Sequence, residues 1–211
     1  MGVIYVALSL AAIAAVLVAN EIWWRRRTSH SEHHRKLVHM VVGTFVAFWP
    51  YYMTWTDIRL ISLAFLLVVV LSKALNIFAA IHEVERFSVG EICFALAVGI
   101  LTFIVHRDWV YAASLMQMSL ADGMAAIIGV HYGKKNSYKV LGARKSLAGS
   151  AAFFITSFLI LVIIGFVAGS SFSIGGLLLI AALSAIVENV AVYGMDNLLL
   201  PVVTALILTH L

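Results

Sequence analysis

One stretch of the chain combines an acidic side chain with regularly spaced small residues. It reads Ser119-Leu-Ala-Asp122-Gly-Met-Ala-Ala126-Ile-Ile-Gly129-Val-His-Tyr-Gly133. On a helix of about 3.6 residues per turn, positions 122, 126, 129 and 133 lie on one face. Small residues let a neighbouring helix approach closely, and they equally let a ligand approach the backbone. Packing does not need the acid at the head of this face, so Asp122 favours a ligand.

A basic segment follows directly and continues into the next apolar block. Glycines, basic side chains and hydroxyls together suit a polyphosphate, because backbone N–H groups approach it and cations neutralise it. Gly149-Ser150 opens the next predicted helix, where free N–H groups favour an anion. The spacing is one residue shorter than a Walker P-loop, and no Ser or Thr follows Lys134. The residues assigned to nucleotide binding here are Gly129, Gly133, Lys134, Lys135, Lys139, Arg144, Lys145, Ser146, Gly149 and Ser150.

The composition indicates that these residues belong to a membrane protein. Of 211 residues, 63% are hydrophobic and only 11% are charged, too few charges to cover a soluble domain of this size. Apolar blocks such as 3–18 and 151–168 approach the ~20 residues that span a bilayer. The alternation expected of a membrane β-barrel is absent. The predicted fold class is therefore all-α, a polytopic transmembrane bundle of about seven or eight helices.

These helices are expected to form a single membrane domain over residues 1–211, because no linker or repeat divides the chain. The segment 132–148 is predicted to be the nucleotide-binding loop. The predicted helices are 2–22, 37–55, 58–80, 90–105, 109–131, 149–169, 174–192 and 197–211.

The distribution of lysine and arginine predicts the orientation. Of the 14 such residues, all but Arg59 and Arg107 lie on one side of the predicted topology, and cytoplasmic loops carry this excess. The N terminus is therefore expected outside, with the 132–148 loop in the cytoplasm. Basic loops of this kind contact anionic membrane lipids. Nucleic-acid binding is excluded, because no aromatic residues interleave with the charges.

A resemblance to a known family rests on a two-part pattern: Asp122-x-x-Ala125-x-x-x-Gly129-x-x-x-Gly133-Lys134, then Lys145-Ser146-x-x-Gly149-Ser150. This pattern resembles the membrane family of CTP-dependent lipid-alcohol kinases, which includes dolichol kinases and phytol kinases. It is also similar to the phosphatidate cytidylyltransferases, which use CTP too.

Two further stretches favour the kinases. Arg35-Lys36-Leu-Val-His39 resembles their early element, and Glu188-Asn189 with Asp196-Asn197 and Pro201 resembles their closing element. The terminal Asp-Arg-x-Asp signature of the cytidylyltransferases is missing. Arg86-x-x-x-Gly90-Glu91 is a weaker match. The chain departs from the family at Ala148, where a glutamate is usual, so Glu91 or Glu188 would have to take over any role of that glutamate.

The resemblance implies a CTP-dependent kinase that phosphorylates the terminal hydroxyl of a membrane lipid alcohol, with Arg35 and Lys36 also at the nucleotide. Its Mg²⁺ would be held by Asp122 with help from Asp196, Asn197 or Glu188, since hard oxygen ligands suit that ion. Three residues are candidate bases: Asp122, Glu188 and His39. Asp122 is treated as an unpaired carboxylate about 18 Å from Lys134 along an unbroken helix, so the site would dip into the membrane unless the helix breaks near Gly129.

Two alternatives stay open. The first is a CDP-lipid synthase, which would consume a phosphorylated lipid and release pyrophosphate. The second is a small transporter in which Asp122 carries protons or ions, a class that usually shows inverted repeats and broken helices. No repeat is evident in this chain.

Overall fold

The computed structural model describes residues 2–25, 32–74, 89–169 and 172–210. Arg86, which the sequence grouped with Gly90 and Glu91, lies outside these residues. In the first half of the chain the described helices are α1 (Gly2–Arg25), α2 (Glu32–Ala47), a short 3-10 turn (Trp49–Tyr51), α3 (Trp55–Ala74) and α4 (Gly90–Ile104).

A continuous rod follows, which crosses the centre of the bundle. It consists of α5 (Asp108–Met116), a π-helical turn (Gln117–Ala121) and α6 (Asp122–Tyr132). A hairpin of β1 (Ser137–Val140) and β2 (Ala143–Ser146) leads to α7 (Leu147–Val167), α8 (Ile174–Val190) and α9 (Asp196–Thr209). The predicted helical bundle is confirmed, and each predicted helix has a counterpart.

The hairpin departs from the all-α prediction. Ser137 pairs with Ser146 and Val140 with Ala143, so only Leu141 and Gly142 remain for the turn. Both have positive φ, 47° and 84°, which two-residue hairpin turns of type I′ require. Gly142 adopts this conformation without a steric penalty. The sequence prediction missed the hairpin because four-residue strands are too short to show a clear alternation.

The core surrounds the rod. Tyr111, Leu115 and Met118 are fully buried on it, and Phe153 of α7 is equally buried beside them. The rod contacts α2, α7 and α9, and α6 runs along α7. Helix α7 begins with Ser146 as its N-cap, whose side chain accepts a hydrogen bond from the Gly149 amide at 3.1 Å, as N-cap serines commonly do. This cap fixes where α7 begins, directly after β2.

Two helices within the described residues are long and apolar enough to cross a membrane, Asp108–Tyr132 and Leu147–Val167. Four shorter apolar helices accompany them: Ile4–Val16, Gly90–Ile104, Ile174–Val190 and Asp196–Thr209. Large apolar side chains also face outward, among them Phe166 at 85% exposure. These features agree with a membrane bundle by length and composition.

Candidate active site

Two lysine–carboxylate pairs are buried at one end of the bundle. Lys36 of α2 donates to Asp122 of α6 at 2.5 Å, and the two side chains are 18% and 5% exposed. Lys145 of β2 donates to a carboxylate oxygen of Glu188 at 2.5 Å and to the Glu188 carbonyl at 2.8 Å. Buried charges need such partners, because an isolated ion loses its hydration without compensation.

The two pairs form one charged cluster, which we define as Lys36, Asp122, Lys145, Glu188 and Asp196. Lys145 is close enough to Asp122 to interact with it electrostatically. Asp196, at the start of α9, interacts in the same way with Asp122 and with both lysines. Three carboxylates and two ammonium groups on α2, α6, β2, α8 and α9 therefore lie within electrostatic range as one group.

The π-helical turn lies directly before Asp122 and affects where that side chain points. A π turn adds one residue to a helical turn, which rotates the following helix by about 100°. Such turns occur often at functional sites. Gly123 faces Met40 of α2, since a Cβ at this position would clash with the Met40 side chain. The irregularity in the rod therefore lies before Asp122, and the helix continues through Gly129 to Tyr132, so the alternative of a break near Gly129 is wrong.

The glycine face below Asp122 is filled by α7. A Cβ on Gly129 would lie 3.1 Å from the Ser146 hydroxyl, and one on Gly149 would lie 2.9 Å from the Ala125 carbonyl. A Cβ on Gly133 would clash with Ser146 and with the Gly129 carbonyl. The sequence left packing and ligand binding open for this face, and the structure shows a close helix contact that holds Ser146 in place.

The hairpin separates the predicted basic residues into two groups. Lys145 lies on the half-buried face with Tyr138, its cross-strand neighbour. Lys139 and Arg144 are cross-strand neighbours on the other, exposed face, and Arg144 donates to the Ser137 hydroxyl at 3.1 Å. The turn residues Lys134 and Lys135 are exposed as well. The structure therefore brings Lys145 to the charged cluster and leaves the other four cations outside it.

Sequence reasoning missed the residue that fastens the hairpin to the bundle. The Tyr138 hydroxyl donates to the side-chain oxygen of Asn189 and also lies 2.8 Å from the Ser150 hydroxyl. Ser150 itself donates to Asn189 at 3.1 Å. Tyr193 donates to the Leu141 carbonyl at 3.2 Å. These bonds hold Lys145 against Glu188. In the sequence, the one indication of a role for Tyr138 is its position between two groups of basic residues.

The remaining predicted residues lie around the cluster. Asn197 donates its side-chain amide to the Gly90 carbonyl at 2.9 Å and so joins α9 to α4. The His39 ring lies edge-on to Phe94, 5.4 Å between centroids, and His39 interacts electrostatically with Asp122. The side chain of Arg35 lies outside the described part of the structure.

A preassembled metal site is not evident. Within the described residues, no group of three or more His, Cys, Asp or Glu side chains is placed to hold a metal ion. Asp122 and Glu188 are instead each paired with a lysine. Carboxylate and amide oxygens nonetheless have the chemistry that Mg²⁺ prefers, and Mg²⁺ is usually held by one or two carboxylates together with substrate phosphates. The donor set thus fits an ion that arrives with a nucleotide.

Comparisons with known proteins identify the family. No protein-family profile matches the chain, and no solved structure matches it. A probable chloroplastic phytol kinase of Triticum aestivum is 30% identical over 86% of the chain and 68% of the relative. A probable chloroplastic phytol kinase 2 of Glycine max is 29% identical over 98% and 74%. A phytol kinase of Synechocystis sp. is 32% identical over 97% of this chain and 91% of the relative, and the chain therefore belongs to the phytol kinase family.

Proposed function

We propose that this protein is a membrane kinase that transfers the terminal phosphoryl group of a nucleoside triphosphate to the hydroxyl of an isoprenoid lipid alcohol. The names of its relatives support the reaction and the alcohol class. The charged cluster is the observation that carries the proposal, because phosphoryl transfer depends mainly on positioning and charge neutralisation. A buried group of lysines and carboxylates provides both.

The two lysines are the groups that would neutralise the phosphates. Lys145 is held by the hairpin at the edge of the cluster, and Lys36 enters from α2. When a triphosphate binds, each ammonium group exchanges its carboxylate partner for a phosphate oxygen, or shares its three donors between both. Ser146 and Gly149 lie at the N-terminus of α7, where the helix dipole favours negative charge.

The acceptor hydroxyl reaches the γ-phosphorus from the side of α2 in this proposal. Its oxygen forms the new P–O bond, the bond to the bridging oxygen breaks, and the nucleoside diphosphate leaves. The hydroxyl proton passes to a base. His39 is the candidate that we assign to this role, since it interacts electrostatically with Asp122 and its ring lies edge-on to Phe94, 5.4 Å between centroids.

Mg²⁺ would be held by Asp122, with Asp196 as the second carboxylate and with Asn197 or Glu188 contributing if the site closes. The ion would supply neutralisation of the developing charge on the phosphates. Asp122 and Asp196 interact electrostatically, which supports their assignment to one ion.

The bundle is placed in the membrane with the cluster facing the cytoplasm. In the topology predicted from the sequence, all lysines and arginines except Arg59 and Arg107 lie on the side of the 132–148 loop, which the positive-inside rule assigns to the cytoplasm. Lys135→Cys should then resist an impermeant thiol reagent in intact cells, and His106→Cys should react. The natural Cys93 is buried and should give little background. Labelling of Lys135→Cys with protection of His106→Cys would reverse the orientation.

The direct test supplies purified protein with Mg²⁺, phytol and either CTP or ATP, each labelled on the γ-phosphate. We expect phytyl phosphate and a nucleoside diphosphate, with CTP the better donor on the basis of the family resemblance. Release of pyrophosphate with a CMP-linked lipid would establish a CDP-lipid synthase instead. The absence of any labelled lipid across a panel of isoprenoid alcohols would refute the proposed function.

A further inference from the structure

An apolar cleft lies between α1, α2, α3 and α4, next to the charged cluster. About 390 Å³ of empty space lies within it, a figure that includes the part open to the surroundings. Its walls are aliphatic or aromatic apart from Ser62, whose hydroxyl donates to the Arg59 carbonyl. Val42, Val46 and Trp49 line it from the side of α2, and Phe94 lines it from α4.

One face of α2 connects this cleft with the charged cluster. Positions 39, 42 and 46 are spaced by three and four residues, so their side chains lie on the same side of the helix. The distance along the axis from His39 to Val46 is about 10 Å. His39 interacts with Asp122 at one end of this stripe, while Val46 lines the cleft at the other.

Phe94 forms the junction between the two regions. Its ring lies against His39, 5.4 Å between centroids, and against Phe65 of α3, 6.2 Å between centroids. Phe65 and Phe94 both line the cleft. A molecule that filled the cleft would therefore end beside His39. Such a molecule needs an apolar body for the cleft and a polar tip for His39.

We propose that the cleft binds the isoprenoid tail of the lipid alcohol and directs its hydroxyl past Phe94 to His39 and Asp122. The proposal rests on the proposed function and names the residues that recognise the substrate's tail. An apolar tail gains free energy in proportion to the area it buries. A tail in the cleft would also fix the hydroxyl relative to the charged cluster, which is how remote binding contributes to catalysis.

Filling the cleft tests this assignment. Val46→Trp places a large ring in the middle of the cleft, whereas Val41→Trp alters an exposed position of the same helix (56% exposed) and serves as the matched control. For Val46→Trp we expect kcat/KM with phytol to fall by more than about tenfold. The KM for the nucleotide and the activity with the single-isoprene alcohol prenol, measured at high concentration, should change little. Val41→Trp should resemble the unsubstituted protein.

A second measurement avoids any substitution. A phytol analogue with a diazirine at the end of its tail is irradiated with the natural protein, and the adducts are mapped by mass spectrometry. Adducts on the segments that contain Val46, Phe65 or Val98, displaced by phytol, are expected. Adducts found only outside these segments would refute the assignment of the cleft to the tail. The same kcat/KM for phytol in Val46→Trp and in the unsubstituted protein would refute it as well. If the unsubstituted protein phosphorylates no alcohol, the proposed function fails, and the adduct map still decides where the tail binds.

Discussion

Replacing Asp122 by asparagine separates the role of this carboxylate in catalysis from its role in stability. The sequence alone treats Asp122 as an unpaired membrane carboxylate, so that neutralising it should leave the fold intact. The structure changes this expectation, because Asp122 accepts a hydrogen bond from Lys36 at 2.5 Å. Asp122→Asn removes the charge that faces Lys36, whose side chain is only 18% exposed.

The size of the effect follows from that burial. Breaking a buried ion pair by removing one partner costs about 3–5 kcal/mol. Asp196 still interacts with Lys36, so we expect the lower end, about 3 kcal/mol. For a chain of this length, about 1 kcal/mol corresponds to roughly 2–4 °C in melting temperature. Asp122→Asn should therefore melt roughly 6–12 °C lower than the unsubstituted protein.

A double variant distinguishes the two roles. Lys36→Met with Asp122→Asn removes both charges, and such replacements are often neutral or stabilising. Its melting temperature should therefore recover. Its activity should not, because a carboxylate that holds a metal beside phosphates contributes several kcal/mol to the transition state, which corresponds to at least about a thousandfold in turnover.

The assay is thermal unfolding in one detergent at one scan rate, together with turnover of phytol at saturating nucleotide across a Mg²⁺ series. Near-normal turnover of Asp122→Asn with an unchanged Mg²⁺ dependence would refute the catalytic assignment. Equal melting temperatures for the single variant, the double variant and the unsubstituted protein would show that the Lys36–Asp122 pair contributes no net stability.

Three further predictions concern the hairpin and the glycine face. Lys145→Ala should raise the KM for the nucleotide, and turnover should partly recover at high nucleotide. Lys139→Ala, on the exposed face of the hairpin, should change that KM much less. A larger rise in KM for Lys139→Ala than for Lys145→Ala would refute the division of the basic residues. Gly133→Ala should overpack the helix contact, lower the free energy of unfolding by about 1–3 kcal/mol and so lower the melting temperature. Gly175→Ala, where a Cβ would meet open space, should not lower it. Equal melting temperatures for the two variants would contradict the close helix contact. Tyr138→Phe should reduce turnover with a stability loss of only about 0.5–1.5 kcal/mol, and unchanged kinetics would show that the hairpin needs no such anchor.

The helices were predictable because hydropathy reports directly on which segments avoid water. Predicted boundaries such as 90–105 and 174–192 lie within two residues of α4 and α8. That Lys36 and Lys145 lie on the same side followed from the predicted topology, whereas Asp122 was expected about 18 Å from Lys134 along the helix. The hydropathy pattern of the sequence indicates at which end of the bundle a residue lies, but it does not indicate which side chains that residue contacts.

The ion pairs were not predictable for this reason. Which lysine meets which carboxylate depends on how each helix is rotated about its axis. The π turn at Gln117–Ala121 changes that rotation for Asp122, and hydropathy carries no signal for it. The same limit applies to the 132–148 loop, where a count of basic residues treats Lys139 and Lys145 alike, although a hairpin turns one outward and the other inward.

The glycine face and Ala148 together narrow the position that we propose for the phosphates of the nucleotide. Because Ser146 and Gly149 fill this face, we propose that side chains at its Asp122 end bind the phosphates. Ala148 stands near that end, where the family usually has a glutamate, and the adjacent β2 residue Lys145 is bound by Glu188 from α8. Of the two acids that the sequence offered as replacements, Glu188 is the one whose carboxylate lies within the charged cluster. The carboxylate beside Lys145 is thus supplied by α8, and residue 148 at the start of α7 supplies none.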